Sequence, residues 1–135
     1  YNQDSLQNQA MTAGLSRYVP FSTSGQVGAQ PYHFRSGFNA GIAMPDMPPE
    51  NERELLKQGF AEGKRIRKYY FGDFYTLADL STSPKDWCVL QYHRGEEQDG
   101  MVIAFRRDRS PYSGFTAELR DRPGGGVRSG PLAGL

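Results

Sequence analysis

The chain has 135 residues, with 16 Lys and Arg residues against 15 Asp and Glu residues and a formal net charge of +1. Its basic residues are scattered and are not interleaved with aromatic residues, so we expect no nucleic-acid partner. The single cysteine, Cys88, excludes an internal disulfide framework and a cysteine-based zinc site. No signal peptide, transmembrane run or lipidation motif is recognisable, so we expect no membrane partner, and the localisation stays unknown.

The first segment, DSLQNQAMTAG, predicts a short helix. Asp4 can accept hydrogen bonds from first-turn amides, Gln7 can reach back to the cap, and Gly14 can end the helix in the left-handed conformation. Residues 15–21 then predict a strand that ends at Pro20, because proline cannot donate to a β ladder. The polar, glycine-rich residues 22–31 predict a loop.

A second extended run is predicted over residues 32–44, and a long helix follows. Asn51 and Glu54 have the spacing of a capping box at its start. Apolar residues recur at helical spacing over this segment, at Leu55, Leu56, Phe60, Ile66 and Tyr70. Gly59 and Gly63 lie four residues apart, which predicts that one helix face packs closely on a neighbouring sheet.

Beyond Gly72 the pattern becomes one of short β segments. Residues 86–93, 100–107 and 114–120 predict an antiparallel meander, and in the last run apolar and polar residues alternate. Trp87 heads the first run, where it could stack on a sugar or, more commonly, anchor a core. The tail, residues 122–135, has no periodicity, which predicts disorder or a sequence artefact rather than structure.

The order of these parts resembles the C-terminal end of the α-galactosidase-type glycoside hydrolases of family 36, the melibiase group. Four runs carry the resemblance: QNQAMTAGLSRYVPF, YHFRSGFNAGI, RIRKYYFGDFY and DWCVLQYHRGEEQDGMVIAFRR. It covers about residues 1–120. It rests on the collinear order of the runs, since none of them is a strict signature.

This resemblance implies an α/β plus all-β fold in three parts. Residues 1–72 would be the C-terminal slice of a (β/α)8 barrel, residues 73–121 a small antiparallel β domain of β-sandwich type, and residues 122–135 an irregular tail. The implied parent is a retaining glycosidase that acts on α-galactosides or related α-linked sugars. The alternative is a carbohydrate-binding or interaction β module without catalysis, and an oligomer is possible in either case.

The resemblance also implies that the chain is inactive alone. Retaining glycosidases need two carboxylates about 5 to 5.5 Å apart. No segment matches the strand of the family's nucleophile, and the family's acid/base Asp aligns immediately upstream of Tyr1. Asp4 could be the acid/base if the alignment is shifted by a few residues; otherwise it is a helix N-cap.

Sugar-contacting residues are expected in the loops that follow barrel strands. The candidates are Ser22, Gly25, Tyr32, His33 and Arg35. Tyr32 could instead belong to the barrel packing, and Arg35 could instead form a structural ion pair. The two histidines, His33 and His93, have no acidic partner at metal-ligand spacing, so we expect neither a metal nor another cofactor.

Overall fold

The computed structural model describes residues 4–19, 22–43, 47–120 and 131–133. In chain order the elements are α1 (Ser5–Leu15), β1 (Thr23–Gly25), α2 (Pro31–Ser36), β2 (Gly41–Ala43), α3 (Arg53–Ile66), β3 (Asp73–Thr76), β4 (Cys88–Arg94), β5 (Asp99–Phe105), β6 (Gly114–Thr116) and β7 (Pro131–Ala133). Single 3-10 turns precede and follow α3, at Glu50–Glu52 and Arg67–Phe71.

Helix α1 confirms the predicted N-terminal helix and the capping role of Asp4, but among the described residues no hydrogen bond from the Gln7 side chain back to the cap is found. The Asp4 Oδ1 atom accepts a hydrogen bond from the Gln7 amide at 2.7 Å. Gly14 lies inside the helix and does not end it, since the helix continues to Leu15. The strand expected over residues 15–21 is wrong for residues 15–19, because the Val19 amide donates to the Leu15 carbonyl and closes a turn. Pro20 and Phe21 lie outside the described residues.

Strands β1 and β2 pair in parallel, with Ser24 opposite Ile42. Parallel strands need a crossover connection, and the one here contains α2. The extended run expected over residues 32–44 is therefore wrong for residues 32–36 and right only for residues 41–43; Met44 lies outside the described residues. Pro31 occupies the first turn, where its missing N–H costs nothing, and the Ser36 hydroxyl donates to the Tyr32 carbonyl at 2.7 Å.

Helix α3 confirms the predicted long helix but not its capping box. Its N-cap is Glu52, and no side chain donates to or accepts from the cap. The close approach marked by the two glycines is confirmed, although the neighbours are α2 and β2 together and not a sheet alone. A Cβ atom at Gly59 would lie 2.6 Å from Phe34 Cδ1, and one at Gly63 would meet Ile42 Cδ1.

Among the described residues the largest sheet has three antiparallel strands in the order β3–β4–β5. The expected antiparallel meander is therefore present, but it consists of β3, β4 and β5. The sequence prediction lacked β3. The third predicted strand, now β6, pairs with β7 and not with β5. The tail accordingly contains a strand at residues 131–133, which corrects the expectation of no structure there; residues 121–130, 134 and 135 lie outside the described residues.

The alternation of burial at the end of the chain is confirmed. Phe115 and Leu119 are half-buried and Ala117 is buried, whereas Thr116 and Glu118 are exposed. The hydrogen-bonded ladder covers only residues 114–116 of this run.

One hydrophobic core contains side chains from both sides of Gly72. Its buried members are Ala13, Phe34, Phe38, Tyr70, Cys88, Leu90, Tyr92 and Phe105. Across the boundary, the Tyr32 and Phe105 rings meet edge to face with centroids 5.9 Å apart. The described residues show neither a barrel nor a β-sandwich, so both of these, and the division into domains at residue 72, remain predictions.

Candidate functional site

The residues expected to contact a sugar lie at separate places in the structure. Tyr32 and Arg35 line one groove, and Ser22 lines a different cavity of about 260 Å³. His33 contacts the start of α1, and Gly25 ends β1. Only Tyr32 and Arg35 share a cavity.

Asp4 and His33 lie at the amino ends of α1 and α2. The Ser5 hydroxyl and the His33 Nδ1 atom are 2.6 Å apart, which joins the first turns of the two helices. The Asp4 carboxylate caps α1, as the N-cap interpretation required. Because this role accounts for an aspartate at this position, no catalytic function is needed to explain it.

Ser22 and Gly25 differ from their expected positions because β1 lies within residues 22–31, which the sequence predicted as a loop after a strand. Ser22 precedes β1, so it lies at the amino end of that strand and not in the loop after it. The Gly25 carbonyl, at the carboxyl end, accepts a hydrogen bond from the Asn8 side chain at 2.8 Å. The segment that follows the strand therefore begins at Gln26, which is 2% exposed and whose side-chain amide donates to the Gly37 carbonyl.

Tyr32 belongs to a buried polar network that sequence reasoning missed. Its hydroxyl accepts from the Gln9 side chain at 3.1 Å, and Gln9 also donates to the Ser36 hydroxyl at 2.9 Å. The Gln9 Oε1 atom in turn accepts from Arg107 Nε at 3.1 Å. Arg107 also donates to the carbonyls of Ser81 and Ser83, at 2.7 and 2.9 Å.

The groove lined by Tyr32 and Arg35 has a volume of about 440 Å³, and we call it the Arg35 groove. Residues 101–105 of β5 line it together with side chains of α2 and α3. Within the described sheet β5 pairs only with β4, so its other edge borders the groove. Arg35 Nε is 2.9 Å from Glu62 Oε2, and the two side chains are 29% and 28% exposed.

This Arg35–Glu62 contact realises the structural alternative considered for Arg35, but it engages only one of the three guanidinium nitrogens. No hydrogen bond to either Nη atom is found among the described residues. Arg35 therefore combines a fixed position with free donors at the mouth of the groove.

The strongest pKa shifts belong to the core and not to these residues. Burial raises the pKa of Cys88 to about 11, and the nearby charge of Arg107 opposes that shift. Burial also raises the pKa values of Tyr70 and Tyr92 well above their usual range. At the β4–β5 turn, a hydrogen bond from Arg94 lowers the pKa of Asp99.

The part of the chain that the structure describes contains neither a cluster of metal-ligating side chains nor a membrane-spanning helix. No group of three or more His, Cys, Asp and Glu side chains there could hold a metal ion. Within the same residues no helix has the length and apolar character needed to cross a bilayer.

Comparison of the chain with protein-family models, with curated proteins and with solved structures finds no match.

Proposed function

We propose that this chain is part of a retaining glycoside hydrolase of the α-galactosidase type, which acts on α-galactosides or related α-linked sugars. The observation that carries the proposal is the parallel pair β1–β2, which is joined through α2 and followed by α3. Strand, helix, strand and helix form the repeat of a (β/α)8 barrel. An antiparallel sheet follows, in the order that the family resemblance implies.

The positions of the helix starts support the same proposal. Asn8 of α1 binds the carbonyl at the carboxyl end of β1, and Ser5 contacts His33 at the start of α2. Barrel enzymes assemble their active sites at the carboxyl ends of the strands. On this basis His33 and the segment after Gly25 border the sugar, and Ser22 belongs to the opposite end.

The alternative is a carbohydrate-binding or interaction β module without catalysis. Such a module would need only the antiparallel sheet. Sugar recognition by such a module does not require the helices and parallel strands that precede the sheet here, so we favour the glycosidase.

The first test addresses the role of Asp4. We expect the purified chain to show no hydrolysis of an aryl α-galactoside above the uncatalysed rate. Should turnover be measured, Asp4→Asn separates the two roles of this residue, because asparagine keeps the N-cap and removes the acid. Turnover that is lost in Asp4→Asn at an unchanged melting temperature would assign the acid/base role to Asp4.

The second test uses a longer protein in which this chain follows the upstream strands of the barrel. We expect that protein to hydrolyse an aryl α-galactoside. In it, Arg35→Lys should lower kcat/KM about tenfold or more, because the single lysine nitrogen can keep the contact with Glu62 but cannot place donors where the two Nη atoms of Arg35 lie. Arg53→Lys is the matched control, because Arg53 pairs with Glu50 at the exposed start of α3.

Two results would contradict the proposal. A folded longer protein that hydrolyses no α-linked glycoside would exclude the glycosidase. An Arg35→Lys enzyme with lower stability and normal kcat/KM would assign Arg35 to the scaffold alone.

A further inference from the structure

A second and larger groove lies apart from the Arg35 groove and shares no lining residue with it. Its volume is about 1100 Å³. Residues 76–80, 85–87 and 111–112 line it, together with Arg17, Phe115 and Arg120. We call it the Tyr112 groove.

Aromatic rings contribute an apolar surface to this groove. Trp87 is 5% exposed and stacks on Phe115, with ring centroids 6.0 Å apart and planes inclined by 29°. Trp87 therefore belongs to the core, as its more common role suggested. Tyr112, by contrast, is 70% exposed.

The backbone of Tyr112 is held in place although its ring is exposed. Its carbonyl accepts from Arg106 Nε at 3.1 Å and from the Ser110 hydroxyl at 3.2 Å. An aromatic ring on a fixed backbone can stack on a flat apolar surface at little cost in conformational entropy.

Charged groups of both signs line the same groove. Arg17, Lys85 and Arg120 are cationic, whereas Asp79 and Asp86 are anionic. Among the described residues the side chains of Lys85, Arg120 and Asp79 have no salt-bridge partner. They are therefore free to donate and accept hydrogen bonds.

This mixture of charges restricts the class of ligand. The three basic and two acidic groups nearly cancel, so the lining has no strong net charge with which to select an anionic or a cationic ligand. A neutral ligand with many hydroxyl groups can use donors and acceptors together. The volume of about 1100 Å³ lies just above the range of about 300 to 1,000 Å³ that is usual for small-ligand sites, so the ligand is larger than one sugar ring.

We propose that the Tyr112 groove binds a neutral oligosaccharide without catalysing its hydrolysis. One sugar ring stacks on the ring of Tyr112, and sugar hydroxyls bond to Arg120 and Asp79. The inference does not rest on the proposed glycosidase activity, because it concerns different residues.

Isothermal titration of the whole chain tests the proposal. The probes are neutral galacto-, gluco- and manno-oligosaccharides of four to six units, with sulfated and phosphorylated sugars as the charged comparison. We expect saturable binding of at least one of them. Tyr112→Ala should weaken that binding about tenfold, the equivalent of losing about 1.4 kcal/mol.

Matched variants locate the binding. Arg120→Ala should weaken it as well, and it leaves intact the two hydrogen bonds of the Arg120 backbone with Gln91. Tyr18→Ala is the control, because Tyr18 is 84% exposed and lies outside the groove. Circular dichroism should show that all three variants stay folded.

Four outcomes would overturn the inference. The first is the absence of saturation with every neutral probe up to about 10 mM, and the second is binding only of sulfated or phosphorylated sugars. The third is an equal loss of binding in Tyr18→Ala and Tyr112→Ala. The fourth is a loss of binding in Arg35→Lys without a loss in Tyr112→Ala. The last outcome would place the sugar in the Arg35 groove and would leave the proposed function in place.

Discussion

Arg107 is a buried cation whose hydrogen-bond partners are neutral oxygen atoms. The residue is 1% exposed, and its three acceptors are one amide oxygen and two backbone carbonyls. Removing a charge from water is costly unless its donors are satisfied, so these bonds offset the desolvation. The sequence could not distinguish Arg107 from its exposed neighbour Arg106, because the acceptors come from distant segments.

We expect Arg107→Ala to lower the free energy of unfolding by about 3 kcal/mol or more, since it leaves a cavity and three acceptors without donors. Arg106→Ala is the matched control. The Arg106 side chain is exposed, and among the described residues it bonds only to the carbonyls of Tyr112 and Ser110. Its loss should cost about 1 kcal/mol or less. Equal urea midpoints for the two variants would contradict the structural role of Arg107.

Cys88 makes stability depend on alkaline pH. Its pKa rises from 9.0 to about 11 in the folded chain, so the unfolded chain loses this proton first as pH increases. The free energy of unfolding should therefore be unaffected by this group below pH 9 and fall between about pH 9 and 11, by about 2 kcal/mol. Tyr70 and Tyr92 add to the fall at higher pH, because their pKa values are raised too.

Cys88→Ala isolates the contribution of the thiol. The variant should be less stable at neutral pH, because it leaves a small cavity, but its stability should fall less steeply from pH 9 to 11. Urea titrations at intervals over this range measure both effects. Parallel curves for the two proteins would show that burial does not shift the Cys88 pKa.

Local patterns predicted some elements well and others poorly. The apolar spacing and the paired glycines of α3 were sufficient to predict the helix and its close packing, because a long amphipathic helix has a clear periodic pattern in the sequence. Helix α2 was missed because Tyr32 and Phe34 lie two residues apart, as in a strand. The strand predicted over residues 15–21 was wrong for residues 15–19, and β1 lies instead within residues 22–31, which were predicted as a loop, so Ser22 precedes the strand and does not follow it.

Gly59 and Gly14 both lie in helices, but a side chain has no room at Gly59 and has room at Gly14, so alanine should have opposite effects on stability at the two positions. Gly59→Ala should destabilise the protein by about 1 to 3 kcal/mol, because the buried Phe34 ring lies 2.6 Å from the new Cβ atom. Gly14→Ala should stabilise it by up to about 1 kcal/mol, because nothing lies within 4 Å and alanine favours the helix. Thermal unfolding measures both. A more stable Gly59→Ala variant would disprove the close packing of α3 on α2.

At the scale of the whole molecule, the packing unites the segments on either side of Gly72. The buried core and the Arg107 network both cross that boundary. The sequence predicted a change of architecture at Gly72, and such a change is present. The pairing of β6 with β7 and the shared core depend on contacts between distant segments, which short-range patterns do not encode.

We expect the chain to unfold in a single transition. All helices of the described residues precede Gly72, whereas the only tryptophan in the sequence, Trp87, follows it and is 5% exposed. Far-ultraviolet circular dichroism and tryptophan fluorescence should therefore give the same urea midpoint. Two separate midpoints would support independent domains divided at residue 72.

The bond between Arg107 and Gln9 also has a consequence for synthesis, since its partners are 98 residues apart in the chain. At about 5 to 20 residues per second, a ribosome needs about 5 to 20 s to add the residues between them. During that interval the Gln9 Oε1 atom must accept a hydrogen bond from water or from another donor. A nascent chain arrested before Arg107 should therefore keep α1 and α2 open to a protease, and one extended well past Arg107 should protect them.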